Sequence, residues 1–120
     1  MSKHTCTALV ISCTDFRFVT MIRDLLVGSG LKDNYDLIAT PGASLGLEKI
    51  ADSISTSIRL HEPENIYIFD HEDCGAYGED NPREAHMRNL KKAKELLIQN
   101  YHNKKVLTYI SGFDKIEEIL

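Results

Sequence analysis

The sequence predicts an α/β fold in three layers, with helices on both faces of a mainly parallel four-stranded sheet of order 2-1-3-4. Three observations lead there. Apolar runs of strand length alternate with segments of helical periodicity, an order that implies right-handed crossovers and parallel pairing. The first run, residues 7–12 (Thr-Ala-Leu-Val-Ile-Ser), is apolar without polar alternation, as in a strand buried on both faces. A chain of 120 residues with 42% hydrophobic and 27% charged side chains suits a single domain, 1–120, whose one core has little apolar surface to spare.

Residues 7–12 form the first strand. Phe18, Met21, Ile22, Leu25 and Leu26 follow at helical spacing until Gly28 and Gly30 end the pattern. A second strand fits residues 35–40, stopped by Pro41-Gly42. Leu47, Ile50, Ala51, Ile54 and Ile58 then recur at threes and fours, a helix that ends by Pro63. The third strand, 66–69, runs into His71-Glu72-Asp73-Cys74-Gly75. Asn81-Pro82-Arg83-Glu84 reads as N-cap, proline at N1 and acid at N3, opening a third helix towards Tyr101. Met87, Leu90, Leu97 and Ile98 are its apolar positions, and Lys91, Lys92, Lys94 and Glu95 its solvated face. Residues 106–110 make the fourth strand, Ser111-Gly112 a turn, and 115–120 a closing helix or edge strand.

Charge and cysteine usage narrow the function. Lys and Arg total 14 against 18 Asp and Glu, net −4, which argues against a dominant electrostatic grip on nucleic acid or an anionic membrane. The longest uncharged stretches, 5–14 and 37–47, fall far short of the roughly 20 apolar residues of a membrane span. Met1-Ser2-Lys3-His4 lacks the basic region and apolar core of a secretory signal, so a cytoplasmic location is expected. Three cysteines, an odd count without sign of secretion, favour thiol chemistry or metal ligation over a disulfide framework.

In a sheet of this kind ligands gather at the carboxyl ends of the strands, where chain order reverses. Cys13 follows strand one, and His71 and Cys74 follow strand three, so neighbouring strands one and three bring all three side chains to one crevice. Two thiolates and an imidazole suit zinc, and three protein ligands with an open fourth position is the pattern of a catalytic site. Cys6 is read as core, because seven residues of strand, roughly 23 Å, separate it from Cys13. His4, His61, His86 and His102 have no partner at ligand spacing and are read as surface or core histidines.

Cys13-Thr14-Asp15-Phe16-Arg17 and His71-Glu72-Asp73-Cys74-Gly75 together resemble the two signatures of the beta-class carbonic anhydrases, Cys-x-Asp-x-Arg and His-x-x-Cys-Gly. Pro41-Gly42-Ala43 stands at that family's glycine turn after strand two. Three features depart from the family: Ala39-Thr40-Pro41 before the turn, Phe16 where a small residue is usual, and Asp70 before the histidine. The family's N-terminal helical arm and its insertion between Cys74 and Pro82 are also not expected here.

The resemblance implies a zinc lyase that hydrates CO2 reversibly to bicarbonate through a zinc-bound hydroxide. Cys13, His71 and Cys74 would bind Zn2+. Asp15 would orient the nucleophile or itself take the fourth position, and Arg17 would hold Asp15 off the metal. Zinc lowers the pKa of bound water to roughly 7, a value taken from the three-histidine carbonic anhydrase site. Two thiolates should push it upward, which Arg17 and other donors would have to counter. The resemblance also implies a small-molecule substrate and a homodimer or dimer-based oligomer. Hydrolysis of a CO2-like molecule such as COS or CS2 on the same site, or zinc binding without turnover, stay open. Read without the family, Asp15 is a helix cap with Arg17 as its surface neighbour, and Glu72 and Asp73 are loop acids, Asp73 within reach of Arg17 or a ligand histidine. Tyr77 lines or covers the crevice.

Overall fold

An uninterrupted apolar run should be buried on both faces, and β1 (Ala8–Ser12) is buried along its whole length. It lies between β2 (Tyr35–Ala39) and β3 (Asn65–His71), parallel to both. The structure, a computed structural model, describes residues 3–78 and 82–119; the N-cap expected at Asn81, the first two residues of the N-terminal reading and Leu120 lie outside them. β4 (Lys105–Ser111) pairs parallel with β3, and β5 (Ile116–Ile119) pairs antiparallel with β4. The sheet order is β2-β1-β3-β4-β5, so the expected 2-1-3-4 order is present with one antiparallel strand added at its edge. The closing segment is a strand because the Gly112 N–H donates to the Lys115 carbonyl at 2.8 Å, closing a hairpin too short for a parallel crossover.

Successive residues of a strand face opposite sides, which sorts the core into two layers. Leu9, Ile11, Ile66 and Ile68 face α2 (Ala51–His61) and α3 (Arg83–Asn100), meeting Leu47, Ile50, Ile54, Leu90 and Leu97. Ala8, Val10 and Phe69 face the other way, against Phe18 and α1 (Val19–Gly28), whose Ile22 and Leu26 are buried. Helices therefore cover both faces. None in the described residues is long and apolar enough to cross a membrane.

Two helix starts differ from expectation. The second helical stretch begins as a 3-10 run, Ala43–Ile50, and becomes α-helical only at Ala51. The chain folds tightly back on the Pro41 turn there: Gly42 has φ +82°, and a Cβ on Gly46 would stand 2.8 Å from the Pro41 carbonyl oxygen. Pro82 is the N-cap of α3, with ψ 150°, and not its first helical residue.

Candidate metal centre

Parallel register places the site. Ser12 of β1 stands opposite Phe69 of β3, so the chain leaves β1 at Cys13 beside the last residues of β3. His71 ends β3, and Cys74 follows after a turn through Asp73, whose φ of 54° bends the chain back. One ligand atom from each of Cys13, His71 and Cys74 lies within 4.8 Å of the others. Cys74 and His71 are buried and Cys13 half-buried.

The donor atoms suit a tetrahedral cation. Two sulfurs each about 2.3 Å from zinc lie roughly 3.8 Å apart in a tetrahedron; Cys13 Sγ and Cys74 Sγ are 4.0 Å apart. A disulfide would need about 2.05 Å. The Nδ1 of His71 is 2.7 Å from the Glu72 carbonyl, so it carries the proton and donates, leaving the Nε2 lone pair as the ligand atom. That Nε2 is buried without a hydrogen-bond partner among the described residues. A buried imidazole nitrogen left in this way costs stability unless a cation or proton donor meets it. Phe18 stacks on the imidazole at 4.4 Å, fixing its plane. The Gly42 N–H donates to Cys13 Sγ at 3.4 Å, which helps to fix the position of the sulfur. Burial, and secondarily Cys13, push the Cys74 thiol up to about 11, a cost that a bound cation would offset.

Asp15 and Arg17 stand at the rim. Asp15 caps the 3-10 turn Phe16–Phe18, accepting the Arg17 backbone N–H at 2.9 Å. The same carboxylate is gripped by the Arg17 guanidinium, Nε to Oδ1 at 3.0 Å and an NH2 nitrogen to Oδ2 at 2.6 Å. The helix-cap reading and the ion-pair reading thus describe one arrangement. Arg17 also donates to the Asp73 carboxylate and to the Asp73 carbonyl, each at 2.9 Å, which ties the first motif to the second. Hydrogen bonds from Arg17 hold the Asp15 carboxyl at about 2, and the two carboxylates hold the guanidinium proton more firmly than usual. Asp15 Oδ2 is 3.8 Å from His71 Nε2, beyond hydrogen-bond reach but facing the same space. An open crevice of about 560 Å³ leads in, walled by Cys13, Phe16, Pro41 and Ala76.

Asp70, one residue before His71, points to the opposite face. It is buried and accepts from the Ser44 N–H at 3.0 Å and the Ser44 hydroxyl at 2.8 Å, with His86 Nδ1 also 3.0 Å away. The Tyr77 hydroxyl lies 3.4 Å from the same carboxylate, accepts from Asn89, and its ring packs on His86. Tyr77 thus braces this network, and the network anchors the end of β3 from behind. Sequence reasoning gave His86 no partner, because its acid stands 16 residues away on a strand. It also missed Phe18 as a support for His71, since helical spacing marks only a core face.

Of the other residues, Cys6 and His61 differ from expectation, while His4, His102 and Glu72 lie at the surface as expected. Cys6 is half-buried at the entry to β1 and packs in neither core layer, because it precedes the sheet. His61, at the end of α2, meets Asp36 of β2 at 2.7 Å, a contact that only the parallel crossover creates. His102 is exposed, as is His4, whose ring lies 4.8 Å from that of His61. Glu72 accepts the Phe113 N–H at 3.0 Å, pinning the β4–β5 turn.

A family model described as "Putative carbonic anhydrase" matches residues 2–119. An uncharacterized protein of Rickettsia conorii is 34% identical, the match covering 93% of this chain and 70% of that protein. One from Rickettsia bellii is 32% identical, covering 93% and 80%. Among solved structures, the fold is similar to the carbonic anhydrase from Glaciozyma antarctica, with a TM-score of 0.71 and 14% identity over 100% of this chain and 85% of that one. It is also similar to the b-carbonic anhydrase CafA of Aspergillus fumigatus, with a TM-score of 0.59 and 16% identity over 97% and 76%.

Proposed function

This chain belongs to the carbonic anhydrase family and has its beta-class fold, and from that premise we propose that it binds one zinc ion at Cys13, His71 and Cys74 and hydrates CO2 reversibly to bicarbonate. The observation that carries the reading is the meeting of two sulfurs 4.0 Å apart with the buried, unpartnered Nε2 of His71. Zinc, when bound, supplies a water acidified into the neutral range as the nucleophile for an electrophilic carbon.

The chain's own residues do the remaining work. Glu72 and Phe18 hold His71 in the tautomer and plane that present Nε2. Asp15, kept anionic by Arg17 well below any working pH, accepts a hydrogen bond from the attacking water and turns its lone pair towards the carbon. Arg17 holds both carboxylate oxygens of Asp15, so the acid turns towards the metal position only when that fork opens. Phe16, Pro41 and Ala76 give the approaching molecule mainly apolar walls, suited to an uncharged linear substrate.

The test is metal analysis of the purified chain with stopped-flow CO2 hydration, for wild type and a Cys13→Ser, Cys74→Ser double variant. Wild type is expected to hold zinc and accelerate hydration, and the double variant to lose one zinc equivalent and the whole rate. An undiminished zinc content in the double variant overturns the ligand assignment. Zinc without rate on CO2 makes the site a binding site, or one for COS or CS2 if those are turned over instead.

A further inference from the structure

At the end of β1 opposite Cys13, where the chain enters the sheet, a second set of ligating side chains converges from separate elements. Cys6 lies two residues before β1, Asp36 sits on β2, and His61 ends α2; one ligand atom from each lies within 4.8 Å of the others. The contacts are specific. His61 Nδ1 is 2.7 Å from Asp36 Oδ2, the Ser57 hydroxyl donates to the same oxygen at 2.6 Å, and the Cys6 N–H donates to the His61 carbonyl at 3.1 Å. His4, two residues before Cys6, brings its ring centre to 4.8 Å from that of His61.

We propose that Cys6, Asp36 and His61, with His4 as the fourth donor, form a second site for a divalent cation of the zinc type, separate from the centre at Cys13, His71 and Cys74. Sulfur, nitrogen and carboxylate oxygen are the donors such a cation takes, and one thiolate with one carboxylate balances its two charges. Three donors converge in the structure, and His4, turned in as the fourth, would close the tetrahedron, so this site would hold structure and do no catalysis. On binding, the Cys6 thiol proton, now directed at the Ala8 carbonyl at 3.3 Å, leaves to solvent, and His61 stays a neutral imidazole that ligates through whichever ring nitrogen carries no proton. Burial and the neighbouring Asp36 charge push that thiol up, and the same negative potential attracts a cation to its place. Asp36 and His61 also border an open crevice of about 420 Å³, which gives the ion its way in. Bound there, the ion would join the segment before β1 to β2 and α2.

The test titrates the metal-stripped full chain with zinc against a chromophoric chelator, and with cobalt(II) as a spectroscopic stand-in. Wild type is expected to take two equivalents, Cys6→Ser and His61→Ala one each, and the Cys13→Ser, Cys74→Ser double variant one. The sulfur-to-cobalt absorption band should persist in that double variant and vanish when Cys6→Ser is added. His4→Ala should keep two equivalents but weaken one of them by tenfold or more. Cys6→Ser should hydrate CO2 at the wild-type rate, which separates this proposal from the activity reading. Wild type saturating at the single equivalent that the double variant loses, or Cys6→Ser still taking two, overturns the second site and leaves Asp36, His61 and Ser57 as a hydrogen-bonded tie between α2 and β2. If the double variant does not fold, the step from two equivalents to one in Cys6→Ser decides alone.

Discussion

Replacing Phe18 tests whether the site rests on the core beneath it. The ring is 2% exposed, stacks on His71 at 4.4 Å and approaches Phe113 at 5.1 Å, so alanine leaves a cavity directly under a proposed ligand. Truncating a buried phenylalanine costs about 3–5 kcal/mol. For a chain of 120 residues, unfolding entropy is roughly 0.25 kcal/mol/K in total, so the melting temperature should fall by about 12–20 °C. Phe18→Leu separates packing from orientation. It keeps most of the volume, at under about 1.5 kcal/mol or about 6 °C, but removes the aromatic face. Such a stack is worth about 0.5–1.5 kcal/mol, which is about 2- to 13-fold in zinc affinity if it is realised only with His71 in its ligating orientation. Calorimetry with zinc chelated gives the first quantity, and chelator competition the second. Wild-type zinc affinity in Phe18→Leu would refute the reasoning, showing that the Glu72 carbonyl alone orients His71. A fall below about 5 °C in Phe18→Ala would refute the burial itself.

The rate of CO2 hydration should be low below neutrality and rise on the alkaline side. Asp15, held at about 2, is an anion throughout that range, so the rise reports deprotonation of the attacking water, and the switch of Asp15 between the metal position and Arg17 would be set towards Arg17, where the structure holds it. Arg17→Ala should move the rise to higher pH and Arg17→Lys restore part of it; a flat wild-type profile, or Arg17→Ala superimposable on wild type, sinks the switch. Because the Asp15 pKa is depressed on folding, its pair with Arg17 contributes stability above about pH 4 that is lost as pH falls towards 2. Denaturant midpoints of wild type and Arg17→Ala should therefore converge over that acid window, and a constant difference would count against the pair. His86→Ala removes one of the partners of the buried Asp70 and should cost about 2–3 kcal/mol in urea unfolding; a loss below about 0.5 kcal/mol would mean that Ser44 and Tyr77 suffice. Light scattering at micromolar concentration should give twice 13.6 kDa, since Leu37 on edge strand β2 is 60% exposed and Leu60 on α2 48%; a stable monomer rejects the dimer.

The site was legible in the sequence to the extent that it depends on topology. Alternating apolar runs imply parallel strands, parallel strands imply that residues just past β1 and β3 share one edge, and Cys13, His71 and Cys74 follow. What resisted reading is whatever the crossovers create. Asp70 was visible as a charge beside a histidine, but its burial is tolerable only because Ser44 and His86 arrive from elements 26 and 16 residues away. Asp36 and His61 meet because α2 returns antiparallel over β2, and neither spacing nor composition records that contact. The 3-10 winding of residues 43–50 is hidden for a related reason: Leu47 and Ile50 fit an α-helical stripe, and the close approach of Gly46 to the Pro41 carbonyl, which a Cβ would block, is a tertiary contact. The antiparallel β5 reads equally as helix or edge strand because four residues, Ile116–Ile119, carry too little pattern to decide. The Gly112 turn decides it, and by seating Phe113 against Phe18 it links the last strand to the packing under His71.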